Sequence, residues 1–177
     1  MRIIVVYKSV TGFTKQYAEW IGKALNCDIL DYKQLQTSVL DQYDTIIFGS
    51  RIHAERVDCL DKMKEIMQGK PDKHFVVYAT GAMTMEATEF IEKMWIKNLG
   101  SENVEMIPHF YMQSGLRYEK MPLGDRLLMK GFAKFISKKI DKDSVDKGIG
   151  QALDASFDVS SVEYIKPLVE YVKGNGR

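Results

Sequence analysis

Cysteine is scarce in this chain, two in 177 residues, and Cys27 and Cys59 stand far apart with no Cys-x-x-Cys or zinc-type spacing. That excludes a disulfide framework and a thiolate metal site, and each cysteine reads as a reduced, partly buried filler. Histidine is scarce too, three in all, and His74 and His109 show no ligand spacing with any other His or Cys, so both read as structural. No apolar run is long enough to cross a bilayer, and the N-terminus has neither a basic n-region nor a small-residue cleavage site. The chain is therefore expected in the cytoplasm. An excess of either charge is missing too, 25 Lys and Arg standing against 24 Asp and Glu. With no recognisable nucleic-acid-binding fold and little basic surface outside one segment, nucleic acid is not an expected partner. Absent motifs narrow the chemistry further. There is no Gly-x-Ser-x-Gly elbow of an α/β hydrolase, no Gly-Lys-Ser/Thr ending of a triphosphate loop, and no Gly-x-Gly-x-x-Gly dinucleotide turn.

What is present is a hydrophobic content of 45 %, enough over this length for one well-buried domain, which we expect to span residues 1–177. Short β-rich apolar runs at 2–7, 27–31, 45–48, 75–79 and 104–112 alternate with helical patterns at 14–25, 57–67, 85–98 and 162–172. The strand runs are continuous rather than alternating, so both faces of the sheet must be covered. This predicts a doubly wound, three-layer α/β fold with a parallel five-stranded sheet. Pro167 either limits or kinks the last helix.

Such folds bind ligands at the carboxyl ends of their strands. After the first strand comes Ser9-Val10-Thr11-Gly12-Phe13-Thr14, a hydroxyl-rich turn leading straight into a helix. Unpaired backbone N–H groups and the positive end of the helix dipole converge there, three hydroxyls can donate to phosphate oxygens, and Gly12 lets the backbone approach closely. Without a lysine, the turn suits a phosphate monoester held by neutral donors. The alternative is an ordinary strand-to-helix junction with Thr14 as N-cap. Two more segments, 49–55 and 80–84, follow the third and fourth strands and read as glycine-bearing loops that could grip a flat heteroaromatic ring. A phosphoacceptor receiver shares this topology, but it needs an acidic pair after the first strand, where Tyr7-Lys8 stands.

These residues carry a resemblance. The spacing Ser/Thr-x-Thr-Gly-x-Thr at Ser9, Thr11, Gly12 and Thr14 is similar to the phosphate signature of the flavodoxin-like FMN-binding family. The stretches 47–53 and 115–118, with the basic segment after them, most resemble its menaquinone-dependent protoporphyrinogen oxidase branch. The likeness implies a sheet of order 2-1-3-4-5, with a helical insertion at about 117–142. It implies FMN held at its phosphate by Ser9, Val10, Thr11, Gly12, Phe13 and Thr14, and at its ring by Ser50, Arg51, Ile52 and His53 with Thr80, Gly81, Ala82 and Met83. Arg117 and Tyr118 become candidates for substrate or the ring edge. No side chain is implied as a nucleophile, since the flavin carries the chemistry.

Departures from the simple electron carriers of that family bear on function. Those carriers are acidic and sandwich the flavin ring between aromatics; here neither ring segment holds Trp, Tyr or Phe. Residues 117–142 contain eight basic and three acidic side chains, so 8 − 3 = +5 falls on one segment. Arg126, Lys130, Lys134 and Lys138 would line one helical face, with Leu128, Phe132, Phe135, Ile136 and Ile140 opposite. That face is either a solvated exterior over a core-capping apolar side, or a peripheral contact with an anionic membrane or a partner. Two functions stay open: an FMN-dependent oxidoreductase, acting on protoporphyrinogen with a quinone or similar acceptor, and a small carrier shuttling electrons to a redox partner protein.

Overall fold

The computed structural model describes residues 1–129, 131 and 155–174. The chain divides into two compact units, Met1–Ser114 with Ser160–Arg177, and Gly115–Val159.

The first unit is the doubly wound sheet. Strands β1 (Ile3–Lys8), β2 (Asp28–Asp31), β3 (Thr45–His53), β5 (His74–Gly81) and β6 (His109–Gln113) lie parallel in the order β2-β1-β3-β5-β6. A two-residue strand, β4 (Arg56–Val57), folds back antiparallel on the end of β3. Setting that short strand aside, the order is the expected 2-1-3-4-5.

The continuous apolar runs resolve into two faces because side chains alternate across a strand. Ile4, Val6, Ile46, Phe48, Val77 and Ala79 point into one core, with Leu60, Met63 and Met67 of α2 (Leu60–Gln68) and Met94, Trp95 and Leu99 of α3 (Thr88–Leu99). Val5, Tyr7, Ile47, Val76 and Tyr78 point into the other, with Tyr17, Ala18 and Ile21 of α1 (Phe13–Leu25) and Leu168, Val169 and Val172 of α4 (Lys166–Gly174). Each such side chain contributes about 1.5–3 kcal/mol on burial, so neither helix layer is dispensable.

Several boundaries differ from the sequence reading, and four of the differences have a plain local reason. Asn26, at φ 49°, ends α1 while the Cys27 N–H bonds back to Gly22, so β2 starts at Asp28. The run 104–112 forms a strand only from His109, because Val104 and Ile107 donate to Gly100 and Asn103 in successive turns. Val57 belongs to β4, and the left-handed Cys59 delays α2 until Leu60. In the last segment a 3-10 turn, Val162–Ile165, precedes α4. Pro167 stands in the first turn of α4, where a missing N–H breaks no helical bond.

The second unit opens and closes with a two-stranded antiparallel ladder, β7 (Gly115–Leu116) against β8 (Phe157–Asp158). Between them come a 3-10 turn, Tyr118–Lys120, and a helical stretch at 123–129. The basic face expected at Lys130, Lys134 and Lys138, and Phe132, Phe135, Ile136 and Ile140 opposite, lie outside the described residues.

Candidate functional site

Register brings the functional segments to one edge. Lys8 is level with Ser50, Ser50 with Ala79, Arg51 with Thr80, and Gly81 with Gln113. The chain leaves β1 for β2 on one side and returns to β3 on the other, so the strand order reverses between β1 and β3. The crevice at such a reversal is where this architecture binds its ligands.

The turn between β1 and α1 has the geometry of an anion cradle. Gly12 is the N-cap residue, with φ 96°, a left-handed conformation that only glycine adopts without strain, and it brings no capping side chain of its own. The first-turn N–H groups of a 13-residue helix therefore converge with its positive dipole end on this turn. Ser9 Oγ accepts from Gly12 N at 3.1 Å, which leaves its own proton to donate outward. Thr14 is not a cap. It lies inside α1, buried, with Oγ1 2.9 Å from Thr80 Oγ1. One proton of that hydroxyl pair bridges the two oxygens and the other is left to donate. Ser9, Thr11 and Gly12 are half-buried and Val10 is exposed. Neutral hydroxyl donors and an uncapped helix start match the demands of a phosphate monoester.

Residues that sequence reasoning missed hold this cradle in place. Tyr78, fully buried, crosses the face of Gly49 and donates from its hydroxyl to the Thr14 carbonyl at 3.1 Å. A Cβ on Gly49 would lie 1.8 Å from Tyr78 Cζ, so the glycine is the slot through which the ring passes. Burial pushes the Tyr78 phenol well above its ordinary pKa and keeps it a neutral donor. Tyr111 holds the 80–84 segment in a similar way, donating to the Met83 carbonyl at 2.7 Å, and burial raises its pKa too. Ser114 donates to the Gly81 carbonyl through its backbone N at 2.7 Å and through Oγ at 3.1 Å. Tyr17 donates to the Gln113 carbonyl and accepts from Ser161 N. Nothing in the sequence separated these tyrosines from core filler.

The segment 49–55 is not an open loop. Gly49 to His53 continue β3, because Gly49 and Ser50 pair with both neighbouring strands and Ile52 and His53 pair with Val57 and Arg56 of β4. The reversal falls on Ala54 and Glu55, at φ 47° and 64°. Asn98 of α3, buried, secures this strained turn by accepting from Val57 N at 2.8 Å and donating to the Glu55 carbonyl at 2.8 Å. Arg51 Nε donates to Asp58 Oδ2 at 2.9 Å. Lys8 Nζ donates to Cys59 Sγ at 3.0 Å, and that bond holds the Lys8 pKa up. Thr80 and Gly81 likewise end β5 rather than open a loop, leaving Ala82 and Met83 beyond the strand, Met83 exposed.

The strand ends thus gather Ser9 to Thr14, Ser50 to His53 and Thr80 to Met83. Arg117 and Tyr118 belong to the second unit, where Arg117 Nη2 pairs with Asp158 Oδ2 at 2.8 Å and Tyr118 N donates to Ser156 Oγ at 3.0 Å. Among the described residues no group of three or more His, Cys, Asp and Glu could hold a metal ion, and no helix is long and apolar enough to cross a membrane.

A hydroxyl-lined turn at the switch point of a doubly wound sheet, flanked by two further strand-end segments, is the ligand-site geometry of a doubly wound α/β protein. The family comparison narrows the class. Residues 4–144 match the model of the flavodoxin domain, and the chain belongs to that flavin-binding family. No curated protein matches the sequence. Among solved structures, a flavodoxin from the domain Archaea is 23 % identical over 53 % of this chain and 75 % of its own, with a TM-score of 0.38. The two-electron reduced flavodoxin of Megasphaera elsdenii is 14 % identical over 86 % and 98 %, with a TM-score of 0.43. An NADPH-quinone reductase from P. pentosaceus is 12 % identical over 72 % and 92 %, also with a TM-score of 0.43.

Proposed function

We propose that the strand-end site holds FMN, and that the protein is an oxidoreductase passing electrons between that flavin and a hydrophobic substrate. The observation that carries the cofactor is the uncapped α1 start, with Ser9, Thr11 and Thr14 around it. In this reading Ser9 to Thr14 hold the phosphate, while Ser50 to His53 and Thr80 to Met83 flank the ring. Bound FMN supplies hydride or single-electron transfer. The chain's own residues supply binding and position: Tyr78 fixes the Thr14 carbonyl, Tyr111 and Ser114 fix the 80–84 segment, and Asn98 fixes the hairpin after β3.

The absence of Trp, Tyr and Phe from 49–55 and 80–84 supports an enzyme over a carrier, because a ring without aromatic cover has a face open to a substrate. This reading takes protoporphyrinogen as the reductant and a quinone or similar molecule as the acceptor. Titration of the purified apo-protein with FMN, followed by flavin absorbance and fluorescence, should give saturable uptake at micromolar concentration. No uptake would end the cofactor assignment. Anaerobic turnover with protoporphyrinogen and a menaquinone analogue should exceed the free-FMN background. Uptake without such turnover would instead leave the electron carrier.

A further inference from the structure

We propose that the helical stretch 123–129 of the second unit lies on an anionic lipid surface. Its side chains are arranged inside out. At about 100° per residue, Leu123, Gly124, Leu127, Leu128 and Gly131 fall on one arc, and all five are exposed. Leu123, Leu127 and Leu128 are 76 %, 73 % and 56 % accessible. The opposite arc carries Asp125, Arg126 and Met129, each half-buried. Arg126 is turned inward, its guanidinium donating to the Met121 and Glu119 carbonyls, both at 2.9 Å. A surface helix of a globular domain does the reverse, hiding its leucines and showing its charges. An outward face built only of leucine and glycine marks a contact surface.

Charge selects the occupant. The segment 117–142, which contains this helix, carries a net +5. Two copies meeting leucine to leucine would bring like charge together, whereas an anionic headgroup layer is complementary to it. Leucines entering the acyl boundary beneath basic residues at the headgroups is how an interfacial helix binds. The glycines at 124 and 131 carry no side chain, so they leave the leucines as the outermost groups of the arc. Placement on a membrane would bring the chain to the phase in which lipid-soluble quinones dissolve. The proposal itself does not depend on the flavin reading.

The test is co-sedimentation of the full chain with phosphatidylcholine vesicles and with vesicles rich in phosphatidylglycerol. Partition onto the anionic vesicles should exceed that onto the neutral ones by about tenfold or more at low salt, and should fall as salt screens the charges. The variant Leu123→Ser/Leu127→Ser/Leu128→Ser should lose most of that binding while keeping its far-UV circular dichroism and its FMN uptake. Leu127→Ser alone should lose part of it, which keeps the test open if the triple variant unfolds. Equal and negligible binding to both vesicles would overturn the proposal, as would undiminished binding by the serine variants. A dimer that the serine substitutions disperse would overturn it in favour of a second copy on this face.

Discussion

Replacing Gly49 by alanine tests whether the phosphate turn is held from beneath. The new methyl would stand 1.8 Å from Cζ, 2.1 Å from Cε1 and 2.3 Å from the hydroxyl of Tyr78, so the ring must leave its place. Tyr78 is fully buried in close-packed core, and overpacking of this kind costs about 1–3 kcal/mol. Moving the ring also breaks the 3.1 Å bond to the Thr14 carbonyl, and a buried phenol donor left without its partner costs about 1–3 kcal/mol more. Taken together, a loss of about 4 kcal/mol lowers the melting temperature of a chain this size by roughly 8–16 °C. A double-mutant cycle isolates the cause, because Tyr78→Leu removes the atoms that the methyl meets. In the Tyr78→Leu background Gly49→Ala should cost less than about 1 kcal/mol, leaving a coupling of about 2 kcal/mol or more. Thermal and urea unfolding of the four proteins, followed by circular dichroism, give the numbers. The reasoning is refuted if Gly49→Ala melts with wild type, or if it costs the same in both backgrounds. Should Gly49→Ala alone fail to fold, recovery of a folded double variant is the expected result.

Three further predictions address other parts of the molecule. Thr11→Val with Thr14→Val removes two hydroxyl donors worth together about 2–4 kcal/mol, so FMN affinity measured by fluorescence titration should fall by about two orders of magnitude; unchanged affinity would place the phosphate elsewhere. Asn98→Ala strands the Val57 N–H and the Glu55 carbonyl, and should destabilise the fold by about 2–4 kcal/mol in urea unfolding, while a loss under about 0.5 kcal/mol would mean the hairpin supports itself. His74, whose Nε2 lies 3.1 Å from the Tyr171 hydroxyl, has its pKa lowered from 6.5 by burial, so the unfolded chain takes up its proton first. Its contribution is therefore complete above pH 6.5 and lost as pH falls below it, and His74→Phe should flatten the decline in urea midpoint between neutral and mildly acid pH; parallel declines would clear His74.

The features legible in the sequence were those written in neighbouring residues. Ser9 to Thr14 is contiguous and framed by an apolar run and a helix, so its hydroxyl composition and its place at a strand end could be read together. The five parallel strands were legible for the same reason, as was the split of helices to both faces, since a strand apolar on both sides needs two covers. What escaped was relational. Gly49 looked like a loop glycine because its partner, Tyr78, lies on a different strand and meets it only through the register of β3 with β5. Asn98 was only the last residue of the expected helix 85–98, yet it closes the turn at Ala54 and Glu55, whose left-handed backbone is unmarked by any glycine. The outward leucines of 123–129 could not be foreseen, because helical periodicity tells which residues share a face and not which way that face points.

The phenol of Tyr17 links two carbonyl and amide groups far apart in sequence but adjacent in space. By bonding both the Gln113 carbonyl and the Ser161 N–H, it stitches together the points where the chain departs for residues 115–159 and comes back. The sheet unit is closed at that seam without help from what is threaded through it. The unit Gly115–Val159 therefore begins and ends at one clasp of the sheet unit. Tyr17 is the clasp that holds both ends of that excursion.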